Sequence, residues 1–110
     1  MIQTQKTNET VIVTPHGQLD ASCAEEFRQD LLELVQSGEN DITIDLKEVD
    51  IMDSKGLSVF IVCHKSLAEK GGKLTVVTDN EDFRGLFHVM RLDEQFTVCG
   101  SEELVTGSNQ

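Results

Sequence analysis

The chain has no tryptophan and no tyrosine, so its aromatic content rests on five phenylalanines, and a core for its 110 residues must be mostly aliphatic. It also lacks any apolar run approaching the roughly 20 residues that a membrane-spanning helix needs. Its start, Met1-Ile2-Gln3-Thr4-Gln5-Lys6, has none of the apolar length of a signal peptide. The expectation is therefore a cytoplasmic protein without membrane insertion. Cys23, Cys63 and Cys99 are odd in number and widely spaced. They write neither a complete disulfide framework nor a compact zinc site, and reduced, buried thiols are expected. Positive charge is scarce as well: nine Lys and Arg stand against twenty Asp and Glu, a net charge of −11. Nucleic-acid binding draws its main electrostatic term from Lys and Arg on phosphates, so a chain this acidic disfavours direct DNA or RNA contact.

What is present is an ordinary globular balance, with 38% hydrophobic residues and a length that suits one domain. The acid is clustered: between Asp20 and Asp53 there are eleven carboxylates against Arg28 and Lys47. Such a region is either a solvated surface or a face for a basic protein partner.

The β-branched stretch Thr10-Val11-Ile12-Val13-Thr14 predicts a strand closed by Pro15-His16-Gly17, and Ile2 to Lys6 can pair with it across Asn8. Ala24, Phe27, Leu31, Leu34 and Val35 then recur on one helical face. Ser22 with Glu25 forms a candidate capping box, with Asp20 as the competing N-cap, and Ser37-Gly38 is the stop. Asp41 to Leu46 alternates as a half-buried strand. Helical spacing returns with Leu57, Phe60, Ile61, His64, Leu67 and Ala68 until Gly71-Gly72, followed by a strand over Leu74-Val77. Asn80 can cap a third helix that buries Phe83, Leu86, Phe87 and Met90, and Phe96-Thr97-Val98 reads as a final edge strand. Ser101 to Leu104 can open a last helical turn before a polar, frayed tail at 107–110. The order β-β-α-β-α-β-α-β implies crossover connections and a mixed, partly parallel sheet.

Signatures of an enzyme are thin. His16, His64 and His88 lie far apart without metal-ligand spacing, and His64 reads as a core or boundary residue. No GxGxxG, GxxxxGK[ST] or GxSxG motif occurs. No catalytic residue, cofactor or metal ligand is assigned. The junction Asp45-Leu46-Lys47-Glu48-Val49-Asp50-Ile51-Met52-Asp53-Ser54-Lys55-Gly56-Leu57 stands apart, because a strand stops there and a helix starts at Ser54, capped by Asp53 or by Ser54 itself. A helix N-terminus offers unpaired N–H groups and a positive dipole, so it tolerates a phosphate on Ser54.

Asp45-Leu46, Val49 four residues after Asp45, and Asp53-Ser54-x-Gly56-Leu57 resemble the signature of STAS domains, in particular of bacterial anti-sigma factor antagonists. Gly17-Gln18-Leu19-Asp20 is similar to that family's Gly-x-Leu-Asp before its first helix, and Gly71-Gly72-Lys73-Leu74 to its glycine turn into a strand. The resemblance extends over nearly all of residues 8–104. It implies an α/β fold: a single STAS-type domain whose four- to five-stranded mixed sheet packs against three to four helices. It further implies that Ser54 is a regulatory phosphorylation site. An anti-sigma factor that is also a serine kinase would phosphorylate it, a PP2C-type phosphatase would reverse this, and the unphosphorylated form, a monomer when free, would bind the anti-sigma factor and release a sigma factor. Asp20, Asp53, Ser54, Lys55 and Gly56 are then the expected partner-binding residues, with helix capping as the other reading of Asp20 and Asp53. Two positions depart from the family pattern: Lys55 stands where Ser or Thr is commoner, which bears on kinase choice, and Arg91 stands before Leu92 where many members have Gly, which bears on turn geometry. Gly56→Val is expected to reduce binding more than stability, unless the Gly56 Cα packs against the sheet. The alternative function is a STAS subunit acting as a structural or regulatory module in a scaffold or membrane-transporter complex.

Overall fold

The computed structural model describes residues 2–101. It opens with the expected hairpin: β1 (Ile2–Thr7) pairs antiparallel with β2 (Thr10–Pro15) across Asn8, which takes φ +54° in the two-residue turn. β4 (Asp41–Asp45), β6 (Lys73–Val77) and β7 (Thr97–Cys99) join in parallel, giving the mixed five-stranded order β1-β2-β4-β6-β7. The helices between them are α1 (Ala24–Gln36), α2 (Ser54–Ala68) and α3 (Glu81–Val89), followed by a 3-10 turn at Leu92–Glu94.

Strict alternation in the strands aims Val11, Val13, Ile42, Ile44, Leu74 and Val76 at one side. All six join a single cluster with Phe27, Leu31 and Val35 of α1, Leu57, Phe60, Cys63 and Leu67 of α2, and Phe83 and Phe87 of α3. With few aromatics available, the phenylalanines are spent on the seams between helices. Phe27–Phe60, Phe60–Phe87 and Phe87–Phe96 meet edge to face at 5.8, 5.3 and 6.1 Å, each worth about 0.5–1.5 kcal/mol beyond area burial. The His64 ring lies 5.6 Å from Phe96, in keeping with its reading as a boundary residue. Burial pushes the Cys63 thiol up to about 12. The other side of the sheet carries the in-register row Ile12, Thr43, Thr75 and Thr97.

Four expectations are corrected. The sequence reading missed two short strands, β3 (Gly17–Leu19) and β5 (Val49–Met52), which pair in parallel as a separate two-stranded sheet. Ser22 and Glu25 form no capping box: α1 starts at Ala24, and its N-cap Cys23 makes no side-chain cap. The Asp20 carboxylate takes Ser22 instead, accepting from its backbone N at 3.0 Å and its Oγ at 2.5 Å. Leu86 and Met90 are not buried; α3 is short and rides on the core through Phe83 and Phe87 alone, leaving Leu86, Val89 and Met90 exposed. Cys23 is half-buried rather than buried and directs its Sγ at the Gln18 carbonyl, 2.6 Å away. Ser101 is helical, while the rest of the anticipated final turn and the polar tail lie outside the described residues.

Candidate functional site

The β3–β5 pair exists to deliver one junction. After β4, Asp45 Oδ1 accepts from Lys47 N at 3.0 Å and Val49 N donates to the Leu46 carbonyl, turning the chain back toward Gly17. Gly17, at φ +82°, donates its N–H to Glu48 O at 2.9 Å, and the register slips by one residue beside it. β5 then ends on Asp53, whose N–H donates to the Leu19 carbonyl at 3.2 Å.

Asp53, not Ser54, is the N-cap of α2. Its Oδ1 accepts from Lys55 N at 2.9 Å and Gly56 N at 3.1 Å, while Oδ2 accepts from Ala21 N at 3.3 Å. One carboxylate thus caps α2 and ties it to the loop between β3 and α1. On that loop, Asp20 is held by Ser22, and the Ser22 hydroxyl foremost keeps the Asp20 carboxyl below its ordinary value of 3.8. Asp20, Asp53, Ser54 and Lys55 are therefore brought together at one surface with Gly56 buried just beneath, through a bond between Ala21 and Asp53, 32 residues apart in sequence.

Ser54 is the first residue of α2 and is exposed. Among the described residues, neither its hydroxyl nor its N–H has a hydrogen-bond partner. Four other serine hydroxyls are committed, Ser22 to Asp20, Ser37 to the Leu34 carbonyl at 2.8 Å, Ser58 to the Lys55 carbonyl at 2.7 Å, and Ser101 to Asp79 at 2.7 Å, while Ser66, also without a partner among the described residues, is half-buried inside α2 rather than exposed at its start. The expectation of several unpaired N–H groups awaiting a phosphate is only partly met, because Asp53 already occupies those of Lys55 and Gly56.

Gly56 is buried, and its Cα packs on β3. A Cβ built there would overlap the Leu19 carbonyl oxygen and lie 2.9 Å from Leu19 Cβ. The expectation that Gly56→Val spares stability is therefore reversed, since this glycine lets α2 approach backbone that cannot swing aside. Lys55 and Ile51, 50% exposed, flank the junction on its solvent side; nothing in the sequence reading singled out Ile51. Among the described residues no group of His, Cys, Asp and Glu is placed to hold a metal ion, and no helix is long and apolar enough to cross a membrane.

Fold and site together define a small α/β domain that presents a free serine hydroxyl on a capped helix start within an acidic surface. The chain belongs to the STAS domain family, whose model matches residues 1–104. It is 33% identical over 99 residues to the anti-sigma-B factor antagonist of Bacillus subtilis (strain 168), covering 89% of this chain and 90% of that one. Its fold is shared by a solved anti-sigma factor antagonist from Mycobacterium paratuberculosis, with a TM-score of 0.86, 21% identity and coverage of 100% and 94% of the two chains. It is also shared by the Bacillus cell fate determinant SpoIIAA in its phosphorylated form, with a TM-score of 0.75, 21% identity and coverage of 98% and 99%.

Proposed function

We propose that this protein is an anti-sigma factor antagonist whose partner choice is switched by phosphorylation of Ser54. In its unphosphorylated state it binds an anti-sigma factor that is also a serine kinase, and so releases a sigma factor; a PP2C-type phosphatase resets it. The carrying observation is the Ser54 hydroxyl: exposed, uncommitted, and one residue from a carboxylate already fixed by three backbone N–H groups. The likeness to curated anti-sigma factor antagonists supports the same reading.

Transfer of a phosphoryl group from ATP to Ser54 Oγ replaces the hydroxyl proton and adds about 1.5 to 2 negative charges. Because Asp53 holds the N–H groups of Lys55 and Gly56, the new phosphate finds on its own chain the Ser54 N–H, the helix dipole and the exposed Lys55 side chain beside it. Its remaining oxygens face outward, beside Asp53 and Asp20. A docked partner would have to desolvate that charge against the site's existing acid, and a penalty of about 3 to 4 kcal/mol lowers affinity by two to three orders of magnitude. No rearrangement of the fold is required. Asp53 and Asp20 position the helix start and the neighbouring loop, and Lys55 sets a positive charge next to the acceptor serine.

Phosphopeptide mapping after incubation with the cognate kinase and ATP tests the assignment. Label should reside on Ser54 and vanish in Ser54→Ala; label on Ser22, Ser58 or Ser101 that survives this substitution would overturn it.

A further inference from the structure

Among the described residues, β1 is the terminal strand of the five-stranded sheet and has a neighbour on one side only. The two-residue turn makes Thr7 and Thr10 the closing hydrogen-bonded pair, so Gln5 and Gln3 also bond to β2, while Ile2, Thr4 and Lys6 direct their backbone groups outward. This edge holds no proline and no bulge, Lys6 is its one charged residue, and five of its six residues are exposed. In register with Pro15, Val13 and Val11, the side chains of Ile2, Thr4 and Lys6 lie on the side of the sheet that α1 covers.

There α1 overhangs the edge. Glu26, Asp30 and Glu33, with Leu34, form one wall of a groove of about 490 Å³ whose floor is Ile2 and Thr4. Among the described residues, none of these three carboxylates has a cationic partner. Glu26 and Asp30 stand about 6 Å apart along the helix axis and Asp30 and Glu33 about 4.5 Å, so the row spans about 10.5 Å, within the ~13.6 Å that three alternate residues of a strand cover. A strand added to β1 would therefore present every second side chain to this acidic row.

We propose that the open edge of β1 and the Glu26–Asp30–Glu33 row form a docking groove for an extended basic peptide segment of a partner protein, separate from the Ser54 surface. Backbone bonds to Ile2, Thr4 and Lys6 supply the pairing, and alternate Lys or Arg side chains meet the three carboxylates. A second copy of this chain fits poorly: pairing β1 with β1 would set two such rows beside one joint, with Lys6, already 3.3 Å from Glu39, as the cation each copy brings.

The probe is a fluorescein-labelled short peptide alternating lysine and threonine, titrated against the full chain by anisotropy, with a glutamate–threonine peptide as counterpart. Saturable binding of the lysine peptide alone is expected, together with slowed amide exchange at Thr4 and Lys6. The triple substitution Glu26→Gln, Asp30→Asn, Glu33→Gln should weaken it at least about tenfold. Thr4→Pro, which removes an outward N–H, should abolish it, and Ser54→Asp should leave it unchanged. Should Thr4→Pro fail to fold, the triple variant and the exchange pattern still decide. Equal binding of both peptides, no saturation, no protection at Thr4 and Lys6, or concentration-dependent dimers of the wild type that Thr4→Pro dissolves would each overturn the proposal.

Discussion

Replacing Gly56 is the sharpest test of how the phosphorylation surface is built. A Cβ at this position collides with the Leu19 carbonyl group and approaches Leu19 Cβ to 2.9 Å. Both belong to β3, which is fixed by pairing with β5 and by the Asp53 N–H on the same carbonyl. Helix propensity favours alanine over glycine by about 1 kcal/mol, whereas overpacking a fixed core contact costs about 1–3 kcal/mol or more. Relieving the clash means moving α2 off β3, which would also weaken the Asp53–Leu19 bond and the Ala21–Asp53 bond, about 1 kcal/mol each. The net loss for Gly56→Ala is about 2 kcal/mol, and Gly56→Val should exceed it. Against a typical domain stability of about 5–15 kcal/mol, this lowers Tm by roughly 8–15 °C for the alanine variant. Urea and thermal unfolding followed by circular dichroism would measure it. A Gly56→Ala protein at or above the wild-type Tm would refute the packing argument and return Gly56 to the role of a surface residue.

Asp53→Ala should cost about 1–2 kcal/mol, because it removes the α2 cap and the tie to Ala21 together, and amide exchange should quicken at Ala21, Lys55 and Gly56. Arg91 holds φ +59° with its side chain exposed, so Arg91→Gly should stabilise by a few tenths to about 1 kcal/mol in chemical denaturation; a loss of stability would show that its side chain contributes more than its strained backbone costs. Ser22→Ala should raise the Asp20 pKa toward 3.8 in a carboxyl-carbon NMR titration. Since that pKa is depressed in the folded state, the associated stability is present above pH 3.8 and is lost as pH falls through the lowered value, so the variant's acid limb should be flatter.

Much of this architecture is written in periodicity. The strands at 10–14, 41–46 and 74–77 and the helical faces of Phe27-Leu31-Val35 and Phe60-Leu67 follow from side-chain spacing alone, because each buries one face on a shared core. β3 and β5 do not, since three and four residues are too short for a period to register and a slipped residue at Gly17 breaks alternation. The same short strands hide the meaning of Gly56, whose neighbour Leu19 comes from a distant segment that only pairing brings close. Ser54 and Asp53 were legible as a helix start, but which of them caps is settled by three-dimensional geometry: Asp53 reaches N–H groups on two elements, leaving the serine free. Leu86 and Met90 fit a helical stripe, yet α3 is too short and too peripheral to bury them. Arg91, singled out in the sequence as bearing on turn geometry, adopts a left-handed conformation at φ +59° before Leu92.

In the proposed switch, charge at Ser54 alone governs partner affinity. Calorimetric titration of the purified anti-sigma kinase with wild type, Ser54→Ala, Ser54→Asp and Ser54-phosphorylated protein tests this directly. Wild type and Ser54→Ala should bind with similar affinity, and the phosphoprotein should bind at least about a hundredfold more weakly, a loss of roughly 3 kcal/mol. Ser54→Asp, with about half the charge at a position where a carboxylate suits the helix start, should fall between them while melting within a few degrees of wild type. Equal affinities across all four proteins, each folded, would contradict the switch and favour a structural STAS module instead.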